Sequence, residues 1–228
     1  EPLNRYVFEL NRGLDQFFLR PVAEIYRDVL PRPVRDGVRN VVHNLLSPII
    51  FATDLLQGQT EHADDTLGRF LTNTFFGVGG VLDVAGGEYA NNPKSTIPFH
   101  NEDFGQTLAV WGLDEGPYLV LPVFGPSPVR DTAGMLGDVV LDPFTYVVPN
   151  EHVLGFDIAR YTARGIDTRS RNIETLDEIE RSSIDFYATI RSLYRQRRAA
   201  EIANGRGGEE DGSLPDINLS IHGDKANE

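Results

Sequence analysis

Cysteine is absent from the 228-residue sequence, which excludes disulfide bridges and thiolate zinc sites within these residues. Cations are few: Lys94 and Lys225 are the only lysines among 21 basic residues, and the net charge is -13. A chain this acidic lacks the clustered cations that nucleic-acid phosphates need, so we expect no nucleic-acid partner. Methionine occurs once, at Met135, and the sequence starts at Glu1. We therefore expect the initiating residue, with any signal peptide or lipid-attachment cysteine, to lie upstream.

One weakly charged stretch approaches a membrane span in length: RFLTNTFFGVGGVLDVAGG, residues 69–87. It contains five glycines and carries only the charges of Arg69 and Asp83. A lipid-immersed span would not readily hold an unpaired Asp83. The pattern fits an amphipathic helix that starts around Asp64 and places its glycines on the polar side. A helix that meets lipid and a buried helix packed on a neighbour explain this pattern equally well.

Helical spacing dominates the rest of the sequence, and no run of short alternating strands occurs. Apolar residues recur at steps of three and four over residues 3–18, and we expect Pro21 to end that helix. A longer helix follows over residues 34–56, where Pro48 predicts a kink and Gly58 a C-cap. The fold class predicted is all-α.

Composition divides the chain into two parts. Helical patterns extend to about residue 205, and residues 206–228 are rich in glycine and acidic side chains. We therefore predict a helical domain over residues 1–205 and an acidic, flexible tail over residues 206–228. Within the tail, apolar residues alternate with polar ones, a pattern that suits a segment ordering on a partner; they are Ile217, Leu219 and Ile221. A disordered end without a partner remains the alternative.

A proline- and glycine-rich apolar segment occupies residues 116–128. Its density of prolines suits neither a regular helix nor a central strand, so we expect irregular backbone in contact with protein or water. Gly112 and Gly116 stand just before Pro117 and Tyr118, and they could act as the hinges of a gating loop. A rigid turn that caps the preceding helix is the alternative.

Signals of catalysis or of cofactor binding are weak. The glycines of residues 77–80 lack the third glycine of a dinucleotide fingerprint, because Leu82 stands in its place. No G-x-S-x-G motif is present, and the five histidines are scattered. The HNED sequence at residues 100–103 could form an acid/base or metal cluster, but a solvated loop is the interpretation we favour. We expect no enzyme, no metal and no cofactor.

Several blocks taken together resemble the MlaA/VacJ family of outer-membrane lipoproteins. They are RPVAEIYRDVLPRPVRDGVRNVVHNLLSP, LLQG, RFLTNTFFGVGGVLDVAG, EDFGQTLAVWG, GPYLVLPVFGPSPVRDTAG, GIDTRS and YRQRRAAEIANG, in that order. The resemblance implies a ring-like, all-helical body around a central water-accessible channel. Such proteins lie in the inner leaflet of the Gram-negative outer membrane, anchored through an acylated cysteine that would precede residue 1.

The resemblance also implies a function without covalent chemistry or cofactors. Family members associate with trimeric porins, remove phospholipids mislocalised to the outer leaflet, and pass them to a soluble periplasmic carrier, which maintains lipid asymmetry. A periplasmic scaffolding protein that organises porins without moving lipid is the alternative. A polar passage through the body would distinguish the two, because a moving headgroup needs polar groups along its route.

Site residues follow from this hypothesis. The predicted channel-lining side chains are polar: Asn40, Asn44, Thr72, Asn73 and Asp83. The predicted membrane-facing side chains are apolar: Phe70, Leu71, Phe75, Val78 and Leu82. The gating-loop candidates are Gly112, Gly116, Pro117 and Tyr118. The apolar residues of the tail are candidates for docking to the carrier.

Overall fold

A computed structural model of the chain describes residues 1–87 and 96–203, and it confirms the all-α fold class. The elements follow one another as α1 (Pro2–Leu14), a π-helical turn (Asp15–Leu19), α2 (Arg20–Val29), α3 (Arg32–Gln57), α4 (Thr60–Phe75), α5 (Phe104–Val110), β1 (Val120–Leu121), β2 (Gly125–Pro126), α6 (Val129–Leu141), α7 (Phe144–Val147), α8 (Asn150–Arg171), α9 (Ile173–Ser182) and α10 (Phe186–Ala203). Among these residues, no helix combines the length and the apolar character that a membrane crossing requires.

The N-terminal helix does not end at Pro21, so that prediction is wrong. The chain continues from α1 through the π-helical turn directly into α2. Pro21 lies in the first turn of α2, where its missing N–H group is tolerated. The wider turn that precedes it closes with a hydrogen bond from the Arg20 N–H to the Asp15 carbonyl.

Helix α3 is the longest element, and it runs unbroken past Pro48. It ends as predicted at Gly58, whose φ of 77° is left-handed. The chain then reverses into α4, which packs against α3, while α8 packs against both α2 and α3. An apolar cluster on α3 contributes to the interior: Val42, Leu46, Ile49 and Ile50.

The glycine-rich stretch is not one helix, so the prediction of a helix through residue 86 is wrong. Helix α4 begins at Thr60 and ends at Phe75, and residues 76–87 form successive turns. Val78, Gly79 and Gly80 have φ values of 55°, 69° and 91°, which no right-handed helix contains. The chain therefore turns away at the glycines, and the predicted helical faces hold only up to residue 75.

The proline-rich segment forms a minimal hairpin instead of a wholly irregular path. Val120 pairs with Pro126 and Leu121 with Gly125, antiparallel. Helix α1 supplies further hydrogen bonds to the backbone of the hairpin, because Asn4 Nδ2 donates to the Tyr118 carbonyl at 2.7 Å. Asn4 Oδ1 accepts the Val120 N–H at 3.1 Å. These contacts satisfy the expectation that its backbone is held against protein.

Burial in this fold is inverted relative to most soluble domains. The fully buried side chains of the described residues are mainly polar or small, with Gln106, Thr53, Thr107 and Asp54 the largest. Large apolar side chains stand instead on the outside, and several exceed 70% exposure, among them Phe17 (79%), Leu136 (72%), Val147 (77%) and Leu154 (71%). Such extensive apolar exposure indicates a surface that meets lipid or protein.

Candidate functional site

A partly open cavity of about 400 Å³ lies between α3, α6, α8, α10 and the segment that leads into α5. One part of its wall is apolar and comes from α3 and α6. The other part is charged or aromatic, and it comprises Glu102, Asp103, Asp131, Asp138, Tyr161, Arg164, Tyr194, Arg197, Arg198 and Glu201. The cavity therefore joins an apolar surface to a dense set of charged side chains, of which Glu102 and Asp131 are buried.

A network centred on Arg198 holds the charged wall together. Its guanidinium contacts both carboxylate oxygens of Asp103, at 2.6 and 2.7 Å, and Asp131 at 3.0 Å. Asp103 also caps α5, where its side chain accepts the Gln106 N–H at 2.9 Å. Burial alone would raise the pKa of Asp103, but the hydrogen bonds and charge of Arg198 lower it. The network thereby fixes α10, α6 and the start of α5 around the cavity.

Close backbone contact makes this network possible. A Cβ atom on Gly134 of α6 would lie 2.4 Å from the Gly105 backbone nitrogen of α5. Only glycine permits the two helices to approach this closely. The approach brings Asp131, one turn earlier on α6, beside Asp103 at the start of α5.

Arg164 differs from its neighbours because it has no carboxylate partner. Its Nη2 donates to Asn101 Oδ1 at 2.8 Å. Among residues 1–87 and 96–203, no carboxylate forms an ion pair with it within 4 Å, and the charges of Asp103 and Glu201 act on it from farther away. Burial lowers the pKa of Arg164, which remains a cation because the free guanidinium is so basic. It therefore offers a half-buried positive charge with unused donors to a molecule that enters the cavity.

Two carboxyl groups in the same wall are easily protonated. Burial raises the pKa of Asp138 to about 7, and the charge of Asp103 adds to the effect. Burial likewise raises the pKa of Glu102 to about 7, against a lowering by its hydrogen bond with Gln57. The net charge of the cavity consequently changes around neutral pH.

The predicted channel residues lie elsewhere, at the junction of α3, α4 and residues 76–87. Asn40 Nδ2 donates to the Val81 carbonyl at 3.2 Å, and Asn44 Nδ2 donates to Thr74 Oγ1 at 2.9 Å. Both asparagines thus use their side-chain amides to bind the neighbouring segment of the same chain, at Thr74 and Val81. Neither belongs to the cavity wall.

Asn73 and Asp83 are joined at the same junction. Asn73 Nδ2 donates to Asp83 Oδ1 at 2.9 Å, while its Oδ1 accepts the Ala85 N–H at the same distance. Asp83 also has a charged partner, because Arg69 contacts it. Thr72 is half-buried and, like the other four residues, lies outside the cavity wall. That lipid passes these residues stays a prediction.

The predicted membrane-facing residues point outward to different degrees. Phe75 and Val78 are among the most exposed apolar side chains, at 76% and 72%, and Leu71 is exposed as well. Phe70 and Leu82 are half-buried. The turns after residue 75, and not a helical face, set the directions of Val78 and Leu82. Contact of these five side chains with the membrane stays a prediction.

The gating-loop residues are held at both ends. Gly112 and Gly116 have left-handed φ values of 94° and 67°. The Pro117 carbonyl accepts the Val129 N–H at 3.2 Å. Tyr118 is buried in an apolar cluster with Phe8, Val120 and Tyr187, so it does not offer its ring to an interface. These contacts support the rigid turn, and gating stays a prediction.

Segment 100–103 is not a solvated loop, contrary to our interpretation. Glu102 is buried, and the ring of His100 lies against the fully buried Asp54. The candidate docking residues of the tail, Ile217, Leu219 and Ile221, lie outside the described residues, so carrier docking stays a prediction.

The cavity residues were missed from the sequence, which gives only one related signal, an excess of arginine over lysine. Arg164, Arg198, Asp103, Asp131 and Asp138 are far apart along the chain. Charged residues are usually exposed, so nothing in their local pattern predicts burial.

Buried polar and charged side chains beneath many exposed apolar ones define a helical protein whose surface meets lipid or protein. Comparison with known proteins gives the family: the chain belongs to the MlaA lipoprotein family, whose model matches residues 1–201.

Individual relatives agree with this assignment. "Intermembrane phospholipid transport system lipoprotein MlaA" of Escherichia coli (strain K12) is 36% identical over 208 residues, which are 90% of this chain and 78% of the relative. The Haemophilus influenzae protein of the same name is 29% identical, over 95% of this chain and 83% of the relative. A solved structure, "Structural basis for maintenance of bacterial outer membrane lipid asymmetry", superposes with a TM-score of 0.76 at 33% identity, covering 88% of this chain and 96% of the other.

Proposed function

We propose that this protein is the outer-membrane component of a phospholipid transport system, and that lipid headgroups enter the charged cavity during transport. The names of its relatives support the general role. The observation that carries the finer proposal is Arg164, which lines the cavity without an ion-pair partner, in a protein with many large apolar side chains on its outside. We propose no covalent chemistry.

The cavity reduces the cost of moving a headgroup. A phosphodiester that enters hydrocarbon without polar partners is strongly disfavoured. Arg164 supplies a guanidinium, whose forked donors match a phosphate. A volume of about 400 Å³ lies within the usual range of small-molecule sites, roughly 300–1,000 Å³. The headgroup is accommodated there, while the acyl chains remain along the apolar surfaces of α3 and α6.

The exposed apolar side chains suit the inner leaflet of the outer membrane. Each of them would cost free energy in water, about 25 cal/mol for every Å² of apolar area left exposed. In our proposal an acylated cysteine upstream adds a second anchor, because one membrane signal alone binds weakly. A trimeric porin covers part of this surface, and a soluble periplasmic carrier receives the lipid. The lipid thereby leaves the outer leaflet, and asymmetry is maintained.

A scaffold that organises porins without moving lipid would share the apolar exterior. It would have no use for a cavity-lining arginine without an ion-pair partner, since a desolvated charge that lacks such a partner costs stability. Arg164 therefore favours transport over the scaffold.

Replacement of Arg164 tests the proposal. In Arg164→Gln, crosslinking of a photoactivatable phospholipid to the purified protein should weaken tenfold or more, because hydrogen bonds to charged groups contribute about 1.5–3 kcal/mol. Cells carrying this variant should accumulate phospholipid in the outer leaflet. The matched control is Arg181→Gln, on the exposed face of α9, where the side chain contacts only its own helix.

The outcome separates the two functions. Unchanged crosslinking in folded Arg164→Gln protein would contradict the headgroup site. Absence of any crosslink in the unmodified protein, together with intact porin association, would favour the scaffold.

A further inference from the structure

Three potential metal ligands meet on the side of α3 that faces α4, away from the charged cavity. Asp54 lies in the last turn of α3, His62 in the first turn of α4, and His100 in the segment before α5. One ligand atom from each side chain lies within 4.8 Å of the other two. Residues separated by up to 46 positions in sequence are thus brought to one point by the α3–α4 hairpin and the returning chain.

Asp54 is fully buried, yet no arginine or lysine among the described residues lies within 4 Å of it. Its carboxylate accepts the Thr66 hydroxyl at 2.8 Å. Both carboxylate oxygens lie 3.2 Å from His100 Nε2. A buried carboxylate needs a positive partner, because transfer of an uncompensated charge from water is costly.

His62 has an unused ring nitrogen at this point. Its Nδ1 is buried and has no hydrogen-bond partner. The rings of His62 and His100 lie 5.1 Å apart, centre to centre. A neutral imidazole carries one donor and one acceptor nitrogen, and a buried one without a partner is rare. A metal ion would occupy that unused position.

The ligand set and the spacing suit zinc. Two imidazole nitrogens and a carboxylate oxygen are a common zinc donor set, with water in the fourth position. Two ligands of a tetrahedral zinc ion lie roughly 3.3 Å apart, given bonds of about 2.0–2.1 Å. The spacing of 3.2 Å between Asp54 and His100 agrees with this value. The wider spacings involve His62, whose ring would move toward the other two ligands.

We propose that Asp54, His62 and His100 bind one divalent transition-metal ion, with Zn²⁺ the preferred ion. The ion neutralises the buried carboxylate and satisfies the free nitrogen of His62. It also ties the segment before α5 to the α3–α4 hairpin. Because the cavity-lining Glu102 and Asp103 lie two and three residues after His100, the ion also fixes the segment that forms one wall of the cavity.

Zinc binding to the full-length protein tests this proposal. Protein treated with a chelator is titrated with ZnCl₂, and bound zinc is measured by mass spectrometry alongside the melting temperature. We expect one zinc ion per chain and a raised melting temperature. His62→Gln should lower the zinc affinity tenfold or more, since even changes around the ligands of metal sites cost 10–100-fold. Its metal-free melting temperature should stay unchanged, because His62 Nδ1 has no hydrogen bond to lose.

His152→Gln is the matched control, because His152 is exposed at the start of α8. It should bind zinc as the unmodified protein does. The proposal is overturned if zinc neither binds nor raises the melting temperature, or if His62→Gln binds zinc equally tightly. Should His62→Gln fail to fold, the absorption spectrum of Co²⁺ added to the unmodified protein decides. Ligand-field bands typical of four-coordinate, tetrahedral Co²⁺ support the proposal, and the spectrum of hydrated Co²⁺ overturns it.

Discussion

The guanidinium of Arg69 lies 2.6 Å from the carboxylate of Asp83, and both side chains are largely buried. The pair joins α4 to the turns of residues 76–87. Asp83 Oδ1 also accepts the Gly86 N–H at 3.0 Å, so the carboxylate organises the last of these turns. The two charges of the glycine-rich stretch therefore neutralise each other, and the stretch needs neither lipid nor solvent to hold them.

Replacing Arg69 with Gln should destabilise the protein by about 2–4 kcal/mol, because a buried carboxylate then loses its partner. Chemical denaturation at pH 7 measures this loss. Burial raises the pKa of Asp83, but its hydrogen bond to Arg69 lowers the pKa below the ordinary value. Because this pKa is lowered in the folded state, the ion pair contributes its full stability at pH values above the ordinary pKa of 3.8. That stability is lost as the pH falls below 3.8 and through the folded-state pKa, so the difference in stability between the two proteins should shrink there.

Arg5→Gln is the control for Arg69→Gln. The Arg5–Asp185 pair has the same length of 2.6 Å but is exposed on both sides. Water and salt screen an exposed ion pair, so Arg5→Gln should lower the free energy of unfolding clearly less than Arg69→Gln does. Equal losses in the two variants would contradict the role we assign to burial.

Gly80 should tolerate alanine far less than its neighbour Gly79. Both residues have left-handed φ values, which cost an alanine about 1–2 kcal/mol. A Cβ on Gly80 would in addition lie 2.6 Å from the Asn44 Cβ, whereas a Cβ on Gly79 meets nothing within 4 Å. We expect Gly80→Ala to cost roughly 1–3 kcal/mol more than Gly79→Ala. Thermal denaturation of both variants checks this, and equal melting temperatures would show that Asn44 does not pack against the glycine.

Asp138 should make stability depend on pH. Burial raises its pKa to about 7 from 3.8. The protonated carboxyl is favoured in the folded state, so its stabilising contribution is complete below pH 4 and is lost as the pH rises through 7. Asp138→Asn keeps an oxygen to accept the Phe104 N–H but cannot ionise. The variant should be more stable than the unmodified protein at pH 8, by on the order of 1–2 kcal/mol, and equally stable at pH 4.

The control for Asp138 is Asp114→Asn, at an exposed position in the irregular segment after α5. It should reproduce the pH profile of the unmodified protein in urea denaturation at pH 4–8. If Asp138→Asn shows that same profile, the carboxyl does not titrate near neutrality, and our account of the cavity charge is wrong.

The sequence predicts the helices well where their ends carry local signals. Gly58 ends α3 because a left-handed residue is needed there. Pro21 misled the prediction because its effect depends on its position in the turn, and a π-helical turn before it removes the conflict. The turns after Phe75 were missed because five glycines are compatible with both a helix and a chain of turns. Packing of Gly80 on Asn44 decides between them.

The site was less predictable for a physical reason. A polar residue on a helical wheel can face a cavity, a neighbouring helix or solvent, and the sequence does not distinguish these. Asn40 and Asn44 face the neighbouring segment of the same chain, where they donate hydrogen bonds to the Val81 carbonyl and to the Thr74 hydroxyl. Arg164 and Arg198 face the cavity, although charge predicts exposure. The close contact between α5 and α6 brings together Asp103 and Asp131, the partners of Arg198.

Apolar side chains cover the outside of the protein while a charged wall lines its cavity, and two adjacent residues of α6 report on these two environments. Met135 lines the cavity, whereas Leu136 is 72% exposed on the outside. Because residues 1–228 contain no cysteine, Met135→Cys and Leu136→Cys each provide one labelling site within them. In outer-membrane vesicles, Met135→Cys should react quickly with a water-soluble maleimide. A fluorophore on Leu136→Cys should be quenched by nitroxides on lipid acyl chains. Equal behaviour of the two positions, or the reverse, would contradict the account.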